Sequence, residues 1–271
     1  MKNILTLMKP LFSVTEALLR SINKICAEQS VAYFIAGATA REILIHNVYG
    51  RSIGRRTRDV DFAVFVAGWD RFDALKQAFN DAGAQSINGN AHRMVMNGIE
   101  LDIIPFGGIS EANQIAWPPD RTIIMSVDGF EEAFGESILV ELSDGELIQF
   151  CSLPGLALLK LFAWRDRGAE NGKDAADLYK ILSEYGLIED DRIYELPVRG
   201  EELEWDVIRM GAYLLGADIA AISGAESQSE LQRLDKEKII DAIVRQSNSE
   251  SAEKIEQILD DFWAGAVMKI S

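Results

Sequence analysis

Two aspartates stand two apart in Thr57-Arg58-Asp59-Val60-Asp61-Phe62-Ala63-Val64-Phe65. The run is rich in Val and Phe and reads as a strand, in which residues i and i+2 point to the same face. Asp59 and Asp61 then project together, while Val60, Phe62 and Val64 turn to a core behind them. Like charges that close repel, and a fold tolerates them side by side chiefly when a cation neutralises them. Hard oxygen donors select Mg²⁺ or Mn²⁺. A second β-like run, Ile99-Glu100-Leu101-Asp102-Ile103-Ile104, brings a third acid, Asp102. Three strand-borne carboxylates could hold two metal ions, the arrangement used for phosphoryl-type displacements. An Asp-x-Asp on a strand is also a common solvated face, so the pair gains meaning only with what precedes it.

Val31-Ala32-Tyr33-Phe34-Ile35-Ala36 is a short apolar run with the character of a buried strand. It ends at Gly37-Ala38-Thr39-Ala40, after which a helical pattern begins over 39–48. Strand, glycine turn and helix N-terminus together make a phosphate cradle, with free backbone N–H groups facing the ligand. Gly37 permits close backbone approach, and the Thr39 hydroxyl can reach a phosphate oxygen. A plain tight turn is the competing reading of this segment alone.

The order of these pieces resembles the nucleotidyltransferase superfamily that includes polymerase beta, kanamycin nucleotidyltransferase and the tRNA CCA-adding enzymes. Within it the chain looks most like the AbiEii/AbiGii toxin type. The resemblance runs from about residue 30 to 185. It is carried by Phe34–Ala40, Arg55–Phe62, Leu101–Gly107, Leu156–Leu161 and Lys173–Tyr179. One departure is Ala38, where the family usually has Gly or Ser; a methyl there leaves the backbone N–H available.

The resemblance implies a Mg²⁺- or Mn²⁺-dependent enzyme with a mixed-sheet α+β nucleotidyltransferase core and a helical C-terminal domain. Asp59, Asp61 and Asp102 become the catalytic metal ligands. Gly37, Ala38, Thr39, Arg58, Lys160, Lys173 and Asp174 become the nucleotide-binding set. The donor is a nucleoside triphosphate such as ATP, and the acceptor hydroxyl belongs to RNA such as tRNA. The implied setting is the toxin half of a toxin–antitoxin pair, with an antitoxin protein as a possible partner. Two other readings stay open: nucleotidylation of a small molecule such as an aminoglycoside, and a non-catalytic binding protein that keeps the fold.

The helical half offers two more features. Lys160 interrupts the apolar series Leu156, Leu158, Leu159, Leu161, Phe162. Such a lysine either snorkels its ammonium to water over a packed stem or directs it to phosphates, and the resemblance favours the phosphates. Lys173, Asp174 and Asp177 open a further helix, where Asp174 could complement the dipole or help fix the nucleotide or the Lys160 helix. Arg165 and Arg167 either act similarly or face solvent. Of the five tryptophans, Trp164 is the one placed to serve as a base platform.

Composition sets bounds. The chain has 271 residues with 48% apolar content, enough for one large or two modest cores. A formal charge of −16 argues against non-specific nucleic-acid binding, which needs a basic surface. The acidic excess is heavier in the C-terminal half. Arg51, Arg55, Arg56 and Arg58 cluster just before Asp59, to hold a triphosphate or RNA end or simply to offset nearby acids. Two cysteines exclude a disulfide framework and suit a reducing cytosol. The apolar start, Met1–Phe12, is too short for a signal peptide, and no stretch reaches a membrane span. With only two histidines, the general base is expected to be a carboxylate.

Periodicity predicts helices at 11–29, 69–82, 154–166, 174–185, 201–219, 231–245 and 251–266. It predicts strands at 31–36 and 59–66, a hairpin of 91–97 and 99–105 turning at Asn97-Gly98, and further strands within 121–127 and 137–149. The stretches 186–200 and 223–230 read as irregular. The domains are expected to be 1–150, the catalytic α/β part, and 151–271, the helical part.

Overall fold

A computed structural model describes residues 3–52, 57, 59–168, 172–196, 200–247 and 250–267. The chain divides into two compact units, Met1–Ser152 and Leu153–Ser271.

The first unit is built on an eight-stranded mixed sheet of order β1-β9-β10-β2-β3-β6-β5-β4. Its strands are β1 (Ile4–Thr6), β2 (Ala32–Ala36), β3 (Asp59–Phe65), β4 (Gln85–Ser86), β5 (Arg93–Met96), β6 (Ile99–Phe106), β9 (Ile138–Glu141) and β10 (Leu147–Phe150). A separate hairpin joins β7 (Gln114–Trp117) and β8 (Ile123–Ser126). Helices α1 (Ser13–Glu28), α2 (Gly37–Glu42), α3 (Trp69–Asp81) and α4 (Phe130–Gly135) complete the unit.

The three central strands are the predicted ones. β2 runs antiparallel to β3, and β3 runs parallel to β6. Alternation sorts their side chains: Val60, Phe62 and Val64 are buried, and so is Phe34 on β2. Phe34 meets Phe106 edge-on at 5.7 Å between centroids, and Phe62 meets Phe79 of α3 at 5.6 Å. On α1 the buried face is Leu18, Leu19, Ile22, Ile25 and Cys26, whereas Val14 at its start is exposed. The Asn97-Gly98 turn has φ of 54° and 77°, the doubly positive pair that a two-residue hairpin loop needs.

Several local readings are corrected or extended. The helix read over 39–48 starts at Gly37 and changes at Ile43 to a π-helical stretch, Ile43–Val48. Apolar spacing alone does not distinguish these two windings. The N-terminal segment, read only for what it is not, contributes β1 in parallel to β9. That pairing joins segments more than 130 residues apart, which no local pattern reports.

Two more corrections lie in the second unit, an array of six helices among the described residues: α5 (Leu153–Arg167), α6 (Lys173–Ile188), α7 (Val207–Ile222), α8 (Ala225–Arg233), α9 (Lys236–Gln246) and α10 (Ala252–Ala266). Short 3₁₀ turns occupy Arg192–Glu195 and Gly200–Leu203, so the helix read from 201 begins only at Val207. There Asp206 caps it, accepting from the Ile208 N–H at 2.8 Å. The stretch 223–230, read as a loop, is mostly α8. Its Gly and Ser suggested a break, but Glu226, Gln228, Glu230 and Gln232 favour helix, and Ser227 and Leu231, four apart, supply the buried side. Where α6 and α7 cross, a Cβ added at Gly211 would lie 2.2 Å from the Gly186 backbone nitrogen, so the two backbones meet without side chains between them.

Candidate active site

β3 opens on Asp59, and Asp61 follows on the same face; both are half-buried. The parallel register of β3 and β6 sets Asp102 beside Asp61. Asp102 is buried. One carboxylate oxygen from each of the three lies within 4.8 Å of the other two. Sequence spacing thus brings two acids together, and strand pairing adds the third.

The glycine turn belongs to the same place. Antiparallel pairing sets Ala36, the last residue of β2, opposite Asp61. Gly37 follows with φ +65°, and a Cβ there would lie 1.9 Å from Asp61 Oδ2. Gly37 is therefore required twice, by its left-handed backbone and by the carboxylate seated over it. The Thr39 hydroxyl donates to the Asp59 backbone carbonyl at 2.6 Å. That bond ties α2 to the start of β3 and is the partner this structure gives the hydroxyl expected to reach a phosphate. The Thr57 hydroxyl donates to Asp59 Oδ1. Ala38 is buried. Arg55, Arg56 and Arg58 lie outside the described residues. A cleft of about 580 Å³ adjoins Asp59, walled in part by Leu11, Phe12, Glu42, Thr57 and Ile99.

One residue at the site was missed. Arg93 on β5 grips Asp102 with a two-bond fork, Nε to Oδ1 and Nη2 to Oδ2, both at 2.6 Å. Its Nη1 lies 3.2 Å from Glu100. Hydrogen bonding to Asp102 raises the Arg93 pKa, so the guanidinium is permanently charged. The signal was present: a two-residue turn at Asn97-Gly98 pairs Met96 with Ile99, and counting outward pairs Arg93 with Asp102, as observed.

The donor set suits a hard divalent cation. Oxygens on opposite sides of an octahedral Mg²⁺ are about 4.2 Å apart, so a spread of 4.8 Å needs only a small inward adjustment.

In the helical unit the predicted residues form their own network. The Lys160 ammonium lies 2.9 Å from Asp174 Oδ1 and 2.8 Å from Asp177 Oδ2. Arg167 adds a second grip on Asp174, with Nε at 2.8 Å. Burial opposes charge on Lys160, but the two aspartates outweigh it and its pKa rises. Burial likewise opposes ionisation of Asp174, but Arg167 and Lys160 bring its pKa down to about 2. Lys160 therefore does not snorkel to water, because two carboxylates hold it inside. Arg165 is engaged elsewhere, by Asp166 and Glu230. Lys173 opens α6. Trp164 is buried, which rules out its expected use as an open platform for a base.

A mixed sheet that presents strand-borne carboxylates beside a glycine turn is the arrangement expected of a nucleotidyltransferase. The family model described as nucleotidyl transferase AbiEii toxin, type IV TA system, matches residues 26–261, and the chain belongs to that family. No curated protein sequence matches it. Among solved structures, it is similar to ANT(2″)-Ia in complex with adenylyl-2″-tobramycin, at 13% identity and TM-score 0.41, over 81% of this chain and 99% of that one. A solution structure of ANT(2″)-Ia is similar at 14% identity and TM-score 0.39, over 83% and 98%. An antigenic nucleotidyltransferase-like protein from Paracoccidioides brasiliensis is similar at 17% identity and TM-score 0.41, over 64% and 78%. No helix among the described residues is long and apolar enough to cross a membrane.

Proposed function

We propose that the protein transfers a nucleoside monophosphate from a nucleoside triphosphate to an acceptor hydroxyl on RNA such as tRNA. In this reading it works with Mg²⁺ or Mn²⁺, as a cytoplasmic toxin countered by an antitoxin. The observation that carries the proposal is the convergence of Asp59, Asp61 and Asp102 within 4.8 Å in a chain of a nucleotidyltransferase toxin family.

Asp59 and Asp61 would hold the cation shared with the triphosphate, and Asp102 would complete the site. A bound divalent ion supplies Lewis-acid polarisation of the α-phosphate and lowers the pKa of the attacking hydroxyl. Backbone N–H groups of Gly37, Ala38 and Thr39 would meet the β and γ phosphates. The acceptor oxygen attacks the α-phosphorus in line, and the bond to the bridging β oxygen breaks. Pyrophosphate departs, and Asp102 takes up the acceptor proton. Little covalent chemistry is asked of the protein; positioning and charge stabilisation carry the rate. Arg58, Lys160, Lys173 and Asp174 are proposed as further nucleotide contacts.

The net charge of −16 favours a second acceptor class, cationic small molecules such as aminoglycosides. Incubation with each α-labelled triphosphate, alongside total tRNA or an aminoglycoside, separates the two. Label retained on RNA supports the proposal. Label only on the aminoglycoside replaces it with the second reading, and label on neither rejects both.

A further inference from the structure

Arg93 has a place at the site that the transfer chemistry above leaves unused. Its fork occupies one lone pair on each oxygen of Asp102, at 2.6 Å and 2.6 Å. A carboxylate offers about four acceptor positions, so two stay available, one on each oxygen. A planar guanidinium fixes both the rotation and the plane of the carboxylate it grips. Asp102 is the buried member of the triad. Arg93 comes from the neighbouring strand, in direct register with it, and its Nη1 also lies 3.2 Å from Glu100. A surface ion pair would do none of this, since it holds its partner loosely and is worth little.

We propose that Arg93 is a positioning residue for the third carboxylate. It aims one open lone pair of Asp102 at the metal position and leaves the other for the acceptor proton, and it supplies a neutralising charge there until a metal binds. This inference rests on the metal reading of Asp59, Asp61 and Asp102. Two consequences oppose each other in sign, which makes the inference distinctive. The guanidinium charge repels an incoming divalent ion, so its removal strengthens metal binding to the nucleotide-free protein. The fork orients Asp102, so its removal slows transfer although metal binds more tightly.

The test is Mn²⁺ titration of the nucleotide-free protein, followed by electron paramagnetic resonance. It compares wild type, Arg93→Gln, Arg93→Lys and Asp59→Asn, with transfer kinetics on the same preparations. Arg93→Gln is expected to bind Mn²⁺ on the order of tenfold more tightly, as loss of one nearby unit charge predicts. It should lower kcat at least about tenfold, with KM for the triphosphate nearly unchanged. Arg93→Lys keeps the charge but cannot form the fork, so it should bind Mn²⁺ no more tightly than wild type and still transfer slowly. Wild-type behaviour of Arg93→Gln in both measurements would overturn the inference, and so would weakened Mn²⁺ binding. Asp59→Asn separates the two levels of the account. If it binds Mn²⁺ as wild type does, the metal reading falls and this inference with it. If it loses Mn²⁺ while Arg93→Gln changes nothing, only the role of Arg93 is rejected.

Discussion

Replacing Gly37 by Ala perturbs the site through a single methyl group. The new Cβ would lie 1.9 Å from Asp61 Oδ2, 2.6 Å from its Cγ and 2.8 Å from its Cβ. Each contact is below any real Cβ separation, and all three atoms belong to Asp61. The backbone at Gly37 has φ +65°, which costs an L-residue about 1–2 kcal/mol by itself. Gly89 separates the two effects. It has φ +79° and nothing within 4 Å of an added Cβ, so Gly89→Ala carries only the backbone cost. In a chain of this size that corresponds to a melting temperature lower by roughly 2–8 °C. Gly37→Ala should lose more, because Asp61 has to leave its seat. A displacement of about 1 Å in a positioned catalytic group can cost on the order of 100-fold in rate. Thermal unfolding, Mn²⁺ titration and transfer would be measured on both variants. Gly37→Ala combined with Asp61→Gly removes the clashing atoms and should recover stability to near the Gly89→Ala level, without activity. The reasoning fails if Gly37→Ala melts like Gly89→Ala and transfers at the wild-type rate, or if the double variant recovers nothing.

Four further outcomes follow from the structure. Asp59→Asn and Asp61→Asn should each abolish transfer with the metal-free protein as stable as before or slightly more so, since like-charge repulsion is relieved; substantial transfer by the double mutant rejects the assignment. Asp102→Asn should keep Mg²⁺-dependent nucleotide binding in calorimetry while transfer disappears, and a proportional loss of both would move Asp102 into the nucleotide site. Lys160→Met removes the Lys160 cation from Asp177 and leaves Asp174 with Arg167 alone, and it should destabilise the helical unit by up to about 3–5 kcal/mol, against no change in denaturant midpoint if the pair were ornamental. Because the folded Asp174 carboxyl titrates at about 2, below its unfolded range, its stabilising effect is complete above roughly pH 4. It is lost as pH falls toward 2, and Asp174→Asn should remove that acid-dependent component.

The parts legible in the sequence are those governed by short-range geometry. Period-two alternation sets Asp59 and Asp61 on one face and buries Val60, Phe62 and Val64. Asn97-Gly98 fixes a hairpin register, and with it the unread partnership of Arg93 and Asp102. The pairing of Lys160 with Asp174 and Asp177 is a different matter. It depends on how α5 and α6 pack, and an apolar stripe with one lysine is compatible with several partners. The Thr39 bond is of the same kind: its acceptor, the Asp59 carbonyl, is 20 residues away in sequence and arrives only through the tertiary fold. The α8 segment shows composition misleading directly, since Gly224 and its serines precede or join a helix whose buried side is only Ser227 and Leu231.

The central claim is that Asp59, Asp61 and Asp102 form the metal centre for nucleotidyl transfer. Anomalous diffraction from crystals grown with Mn²⁺ and a non-hydrolysable triphosphate analogue tests it most directly. The account predicts an anomalous peak within about 2.3 Å of oxygens from Asp59 and Asp61, with the analogue's phosphates against Gly37 and Asp102 still held by Arg93. Bound analogue with the Mn²⁺ peak away from these three carboxylates would contradict it.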